Sequence, residues 1–314
     1  MVRYIIKRIL YIIPTLFIVA FLIFFLVHLI PGDPALVILG EDASPENVKV
    51  VRETLGLDKP LYTQFVLWIG KVGMGDFGRS IFTKRPVIDD ILERFPVTLV
   101  LTTLAMIFSL LIALPPGIYA AVHHNTRKDY TFMFCTILGV SIPGFWLGLM
   151  ALLFFSVKLG WFPTIGFVPM WEDFFVGFRY MVLPSMTLGL FMAAVVARMI
   201  RSSMLEVLRL EYVTHARAKG LGEWKVIGKH ALKNAFGPTL TTIGIQYGML
   251  LGGAVITETV FSLPGLGKYL VLSIYSRDYP VVQGCILFFA LTYMVINLVV
   301  DILYVYFDPR ISYA

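Results

Sequence analysis

The sequence predicts an all-α integral membrane protein with six transmembrane helices and a small ordered cap after the first. Three observations carry this. Hydrophobic residues make up 58 % of the chain and mean hydropathy is +0.81, more apolar than a soluble domain. Six stretches, residues 9–30, 97–122, 131–157, 180–197, 235–257 and 279–300, hold no Asp, Glu, Lys or Arg and come close to or exceed the ~20 residues a bilayer crossing needs. The charges between them are also asymmetric, as membrane topology demands.

The first stretch, 22 residues long, exceeds the ~7–15 apolar residues of a signal core and is expected to stay as a span. Orientation follows from the short loops. Arg3, Lys7 and Arg8 precede the first span, and eight Lys/Arg lie between residues 198 and 234, which places both termini in the cytoplasm. In that orientation the inner segments hold 14 Lys/Arg against 6 Asp/Glu, and the outer segments 12 against 14. Eight of the outer basic residues lie in the long segment 31–96, where the positive-inside rule weakens. The net charge of +6 thus sits beside the bilayer, where anionic lipid attracts it, and calls for no nucleic acid.

The outer segment after span one opens with Pro31-Gly32-Asp33-Pro34, which must leave the helix. Val48, Val51 and Leu55 recur at helical spacing and predict a helix over 45–57. Tyr62, Phe65 and Trp68 mark a second over 61–72, followed by a glycine-punctuated turn over 73–82 and an interfacial lead into span two over 88–95. Pro115-Pro116, Pro143 and Pro184 fall inside spans two, three and four and read as packing kinks or as hinges along a pathway. In span five Gly244, Gly248 and Gly252 recur every four residues and clear a helix face for close packing, within the chain or across a dimer. The expected organisation is residues 1–30 with the first span, a cap over 31–96, a helical core over 97–307 carrying an inner segment 198–234, and a tail over 308–314. No repeat of matching halves appears, which weighs against inverted-repeat carriers.

Candidate chemistry is sparse. Asp301 is the best intramembrane ionisable group, read either as functional or as an ion pair with Arg198 or Arg201. Glu258 lies at the outer end of span five, and either touches a substrate or sits at the interface. Gln246 and Met249 in span five and Asn297 in span six are candidates for lining a pathway. The Gln246 amide in hydrocarbon needs a partner, so an interhelical hydrogen bond is the alternative. No metal site is expected: the five histidines form no ligand set, and Cys135 and Cys285 lie inside spans as small hydrophobes. Two glycine-lysine runs fail as phosphate loops. Gly222 to Gly228-Lys229-His230 has one residue too many and His where Ser or Thr should hold magnesium, and Gly265-Leu266-Gly267-Lys268-Tyr269 fails likewise. ATP hydrolysis by this chain is therefore not expected, and no nucleophile–base set marks an enzyme.

The inner segment 198–234, 37 residues between two spans, is the remaining clue. Residues 204–218 predict a helix with Leu205, Leu208, Tyr212 and His215 or Ala216 on one face; Gly220 and Gly222 break it, and 224–235 resumes as a second short helix. Such a knob reads as a docking element for a cytoplasmic partner, or as an amphipathic hairpin lying on lipid.

These residues carry a resemblance. Ala216-x3-Gly220-x11-Leu232, within Tyr212-Val213 to Asn234-Ala235, resembles the EAA loop of binding-protein-dependent ABC importer permeases, first-permease type of the peptide/nickel subfamily. The likeness includes Leu55-Gly56-Leu57-Asp58-Lys59-Pro60, Gly75-Asp76-Phe77-Gly78, Arg94-Phe95-Pro96, Pro264-Gly265-Leu266-Gly267, Arg277-Asp278-Tyr279-Pro280 and Asp308-Pro309-Arg310. Thr214 stands where the general pattern has Glu, His215 for its first Ala, His230 for Ile and Lys233 for Pro. The resemblance implies a type I importer permease fold, pairing with a second permease, two cytoplasmic ATPase subunits that hold ATP and Mg2+, and an extracytoplasmic solute-binding protein. It implies that Thr214, His215, Ala216, Gly220, Leu221, Gly222 and Leu232 belong to an ATPase-coupling loop, and that the cap and the 261–283 loop receive the binding protein. Short peptides are the expected cargo, with nickel or its chelates, glutathione and oligosaccharide as alternatives. Outside this class, a proton-coupled carrier would need paired membrane carboxylates or a repeat, neither of which is visible, and a membrane anchor or receptor subunit would not need six spans with kinks and glycine faces.

Overall fold

The computed structural model describes residues 2–29, 44–55 and 57–307, together with Leu36 and Leu39. The Pro31–Pro34 turn, Gly56 and the tail 308–314 lie outside the described residues. In chain order the helices are α1 (Val2–Leu29), α2 (Pro45–Leu55), α3 (Leu61–Gly73), α4 (Val87–Val122), α5 (Arg127–Ser141), α6 (Gly144–Lys158), α7 (Phe174–Leu208), α8 (Glu211–Ala218), α9 (Glu223–Val260), α10 (Leu266–Tyr275) and α11 (Tyr279–Phe307).

Helices α1, α4, α7, α9 and α11 are each long and apolar enough to cross a membrane, and α5 with α6 adds a sixth candidate as a pair bent by 93°. The continuous span expected over 131–157 is thus broken. Ile142 is extended (φ −83, ψ 125) because the ring of Pro143 disfavours helical geometry in the residue before it. Pro115, Pro116 and Pro184, by contrast, lie inside helices that run on through them. The interfacial lead expected over 88–95 is the first part of α4, which runs unbroken from Val87 into the second span. Cys135 is exposed in this chain, while Cys285 is buried.

The chain divides into two compact units. The first comprises Met1–Pro96 and Pro264–Met294. Here Ala20, Ile23 and Val27 of α1 pack with Tyr279, Val282 and Leu287 of α11, and Phe65 on α3 meets Phe17, Phe21 and Phe24 edge-on at 5.4–5.7 Å between ring centres. Two buried carboxylates organise the loop before α4. Asp278 accepts from Ser80 Oγ at 2.5 Å and from Ile81 N at 3.1 Å. Asp90 accepts from Tyr269 Oη at 2.7 Å and faces Arg85 and Arg94 at 3.2 and 3.6 Å. Burial and the Asp90 bond push the Tyr269 phenol above its ordinary pKa.

The second unit comprises Val97–Leu263 and Val295–Ala314. Its core is built from α4, α7 and α9, with Leu101, Met181, Met192, Leu250 and Ala254 buried together. Small residues let backbones meet: a Cβ on Gly189 would collide with the Ala105 carbonyl, and one on Gly117 would lie 2.7 Å from the Ala197 carbonyl oxygen. Asp173 caps α7, accepting from Val176 N at 3.0 Å.

Candidate functional site

The inner segment 198–234 folds as two limbs and a tip. Helix α7 closes at Leu208 through short-range bonds, Arg209 N to Glu206 O at 3.3 Å and Leu210 N to Val207 O at 3.1 Å. Leu210 is extended (φ −73, ψ 145), and α8 starts afresh with Glu211 in its first turn, where the helix dipole favours a carboxylate. The single helix expected over 204–218 is therefore two, because the tight turn after Leu208 satisfies the last carbonyls of α7 before Glu211 opens a new helix.

The end of α8 is a Schellman cap. Leu221 N reaches Ala216 O at 3.4 Å and Gly220 N reaches Arg217 O at 2.9 Å, with Gly220 at φ +75, a conformation that glycine adopts without steric cost. Nothing lies within 4 Å of a Cβ built on Gly220, so backbone conformation and not space requires glycine there. Gly222 sits at φ −62 with equally open surroundings and has no such requirement. Across the turn Arg217 Nε contacts Glu223 Oε1 at 2.8 Å, with Nη2 at 3.4 Å from Oε2.

The second limb, expected as a short helix over 224–235, is not separate. It begins at Glu223 and continues into the fifth span as one helix, α9, interrupted by a π-type turn over Val226–Leu232. A buried cluster of Val213, Ala216 and Val226, with Val207 and Leu208 against it, joins the two limbs. Ala231 and Ala235 pack with Ala121, Ile200 and Met204, with Leu232 against the same cluster. The interior thus takes Ala216 and Leu232. Thr214, His215, Gly220, Leu221 and Gly222 stand at the exposed surface, as do all residues from 217 to 225. Trp224, 89 % exposed, is the most exposed large hydrophobic side chain of the described residues. A tryptophan so placed on a braced turn has the character of an interface anchor. In sequence, Glu223 and Lys225 beside it do not tell an exposed tryptophan from a buried one.

The remaining candidates scatter. Gln246 is buried at 7 % exposure, its Oε1 with no hydrogen-bond partner among the described residues, while Met249 is 53 % exposed. Asn297 is half-buried. Gly244 is filled by its own chain, against Val300; Gly248 is half-buried, and Gly252 is exposed with nothing within 4 Å. Glu258 is fully buried and accepts from Thr98 Oγ1 at 2.6 Å. Arg201, one of two cations considered for Asp301, is instead bound to Asp129 through Nε at 2.6 Å and Nη2 at 2.7 Å. Asp129 also accepts from Asn125 N at 3.1 Å and lies 3.2 Å from His124 Nδ1. This cluster pins the 123–126 loop to α7 just above the knob. An Asp and an Arg 72 residues apart left no pattern to find.

The chain matches two family models: the binding-protein-dependent transport system inner membrane component over residues 113–313, and the N-terminal membrane component of such systems over residues 1–102. The glutathione transport system permease protein GsiC of Escherichia coli (strain K12) is 47 % identical over 313 residues, 100 % of both chains. GsiC of Shigella boydii serotype 4 (strain Sb227) is 46 % identical over the same length. Among solved structures, the MetNI methionine ABC transporter in inward facing conformations matches with a TM-score of 0.58 and 20 % identity, over 71 % of this chain and 96 % of that one. That likeness concerns the fold.

Proposed function

We propose a specific role for this chain, which belongs to the binding-protein-dependent transport system inner membrane components, the permease subunits of ABC importers. It is a multi-pass membrane protein and a transport subunit, not an enzyme. The proposed cargo is a short peptide, with glutathione, a modified tripeptide, as the first candidate; the full-length likeness to GsiC supports it.

In the proposed arrangement both termini are cytoplasmic and the knob between α7 and α9 faces the ATPase subunits, which hold ATP and Mg2+. A second permease completes the membrane assembly, and the solute-binding protein delivers cargo to the cap side. The observation that carries the coupling role is the exposed tip over 217–225, presented on a frame closed by the Val213–Ala216–Val226 core and the Arg217–Glu223 pair. Buried apolar contact holds the two limbs of this frame together. In α9, a single helix running from the tip at Glu223 to Val260, movement of the tip reaches the fifth span without crossing a loop. Gln246, Met249 and Asn297 stay proposed pathway residues, and Asp301 a proposed intramembrane ion-pair partner.

The test is ATP hydrolysis by the complex purified with its co-expressed partners in lipid, with di- and tripeptides, glutathione and chelated nickel as cargo. Stimulation by glutathione or short peptides supports the cargo. Stimulation by nickel alone overturns it while leaving the permease role in place.

A further inference from the structure

The π turn at the base of the knob is tied to the first limb by side-chain hydrogen bonds. In the π register of Val226–Leu232 each amide reaches back five residues and not four. Within this stretch the His230 carbonyl takes two side-chain donors. Asn234 Nδ2 donates to it at 3.0 Å, and Tyr212 Oη donates to it at 3.3 Å. Asn234 Nδ2 also donates to Tyr212 Oη at 2.8 Å, closing a triangle. Tyr212 belongs to α8, whereas His230 and Asn234 belong to the helix that becomes the fifth span.

We propose that Tyr212 and Asn234 are positioning residues for energy coupling, forming a latch that holds the π turn in register so that movement of the tip reaches α9. This rests on the coupling role proposed for the knob. A π turn is a compliant point within a helix, because reverting to α geometry shifts the register of everything beyond it by one residue. With the latch in place, α8 and the base of α9 move as one body. Without it, tip displacement is absorbed at Val226–Leu232, and ATP is spent without carrying cargo. The buried contacts of Ala216 and Val226 hold the limbs together but leave this register free, because apolar packing is non-directional whereas a hydrogen-bonded carbonyl fixes an orientation.

The experiment measures cargo transported per ATP hydrolysed in proteoliposomes of the full complex, for Tyr212→Phe, Asn234→Leu and the double variant, with ATPase copurification scored in each. Tyr212→Phe removes one hydroxyl from a side chain 39 % exposed, so folding is not at stake. The expected result is normal copurification, a ratio at least three-fold lower in each single variant, and a double variant no worse than Asn234→Leu, since both act on one carbonyl. Ratios within two-fold of the parent, with ATPases still bound, overturn the latch and leave the coupling role standing. Additive losses also overturn it, because two independent contacts do not form a latch. Absence of ATPase subunits from the parent complex overturns the coupling role and the latch together.

Discussion

Arg201 grips Asp129 with both arms of its fork, Nε at 2.6 Å and Nη2 at 2.7 Å, at a carboxylate only 2 % exposed. The pair anchors the loop between α4 and α5 to α7, the helix from which the knob descends. Truncating Arg201 to Ala strands a buried charge, which costs about 3–5 kcal/mol. We expect a large loss of the folded, monodisperse complex on heating, read by size exclusion after a temperature ramp. Replacing both partners with Leu and Met should recover most of that loss, since a well-packed apolar pair often matches a buried ion pair.

The two glycines of the tip should behave differently. Gly220→Ala forces a side chain into left-handed geometry (φ +75) and costs about 1–2 kcal/mol, loosening the Schellman cap. Gly222→Ala, at φ −62 with open surroundings, should stay within about 0.5 kcal/mol. Copurification of ATPase subunits across a urea series separates the two.

Much of this was legible in the chain. The absence of charge over 97–122, 180–197 and 279–300 marked spans that the helices reproduce, because backbone groups in hydrocarbon must bond within a helix. The cap helices at Pro45–Leu55 and Leu61–Gly73 followed from apolar spacing alone. Pro143 was visible, but a 93° bend was not, since hydropathy counts residues and is blind to direction. In the knob, the Ala216–Gly220 spacing located the turn, and the limbs were misdrawn. The break at Arg209–Leu210 has no Gly or Pro to announce it, whereas Gly237-Pro238, which reads as a stop after 224–235, lies inside the continuous helix α9. The Asp129–Arg201 and Tyr212–Asn234 contacts depend on tertiary approach and leave no periodic trace.

Gly244 and Gly252, alike in sequence, have different surroundings. Gly244 is occupied by Val300 of the same chain, whereas Gly252 meets nothing within 4 Å. Gly244→Leu should impair folding of this chain expressed by itself. Gly252→Leu should leave the isolated chain intact and, if that face meets the second permease, abolish pull-down of the partner. Parallel pull-down and thermal-aggregation assays distinguish these outcomes.

Asp278 holds the 80–86 loop by accepting from Ser80 Oγ and Ile81 N while 3 % exposed. Asp278→Ala leaves a buried amide and hydroxyl unmet, a cost of about 1–3 kcal/mol. The expected consequence is faster limited tryptic cleavage after Lys84, with cleavage elsewhere unchanged.

The tip over 217–225 is the surface proposed to engage the ATPase subunits. The most direct measurement places a photo-reactive amino acid at position 224, the 89 % exposed tryptophan, and irradiates the intact complex in lipid. The account predicts a cross-link to an ATPase subunit whose yield changes when ATP is added without hydrolysis. A cross-link to lipid alone, or to no ATPase subunit in a complex that contains them, would contradict it.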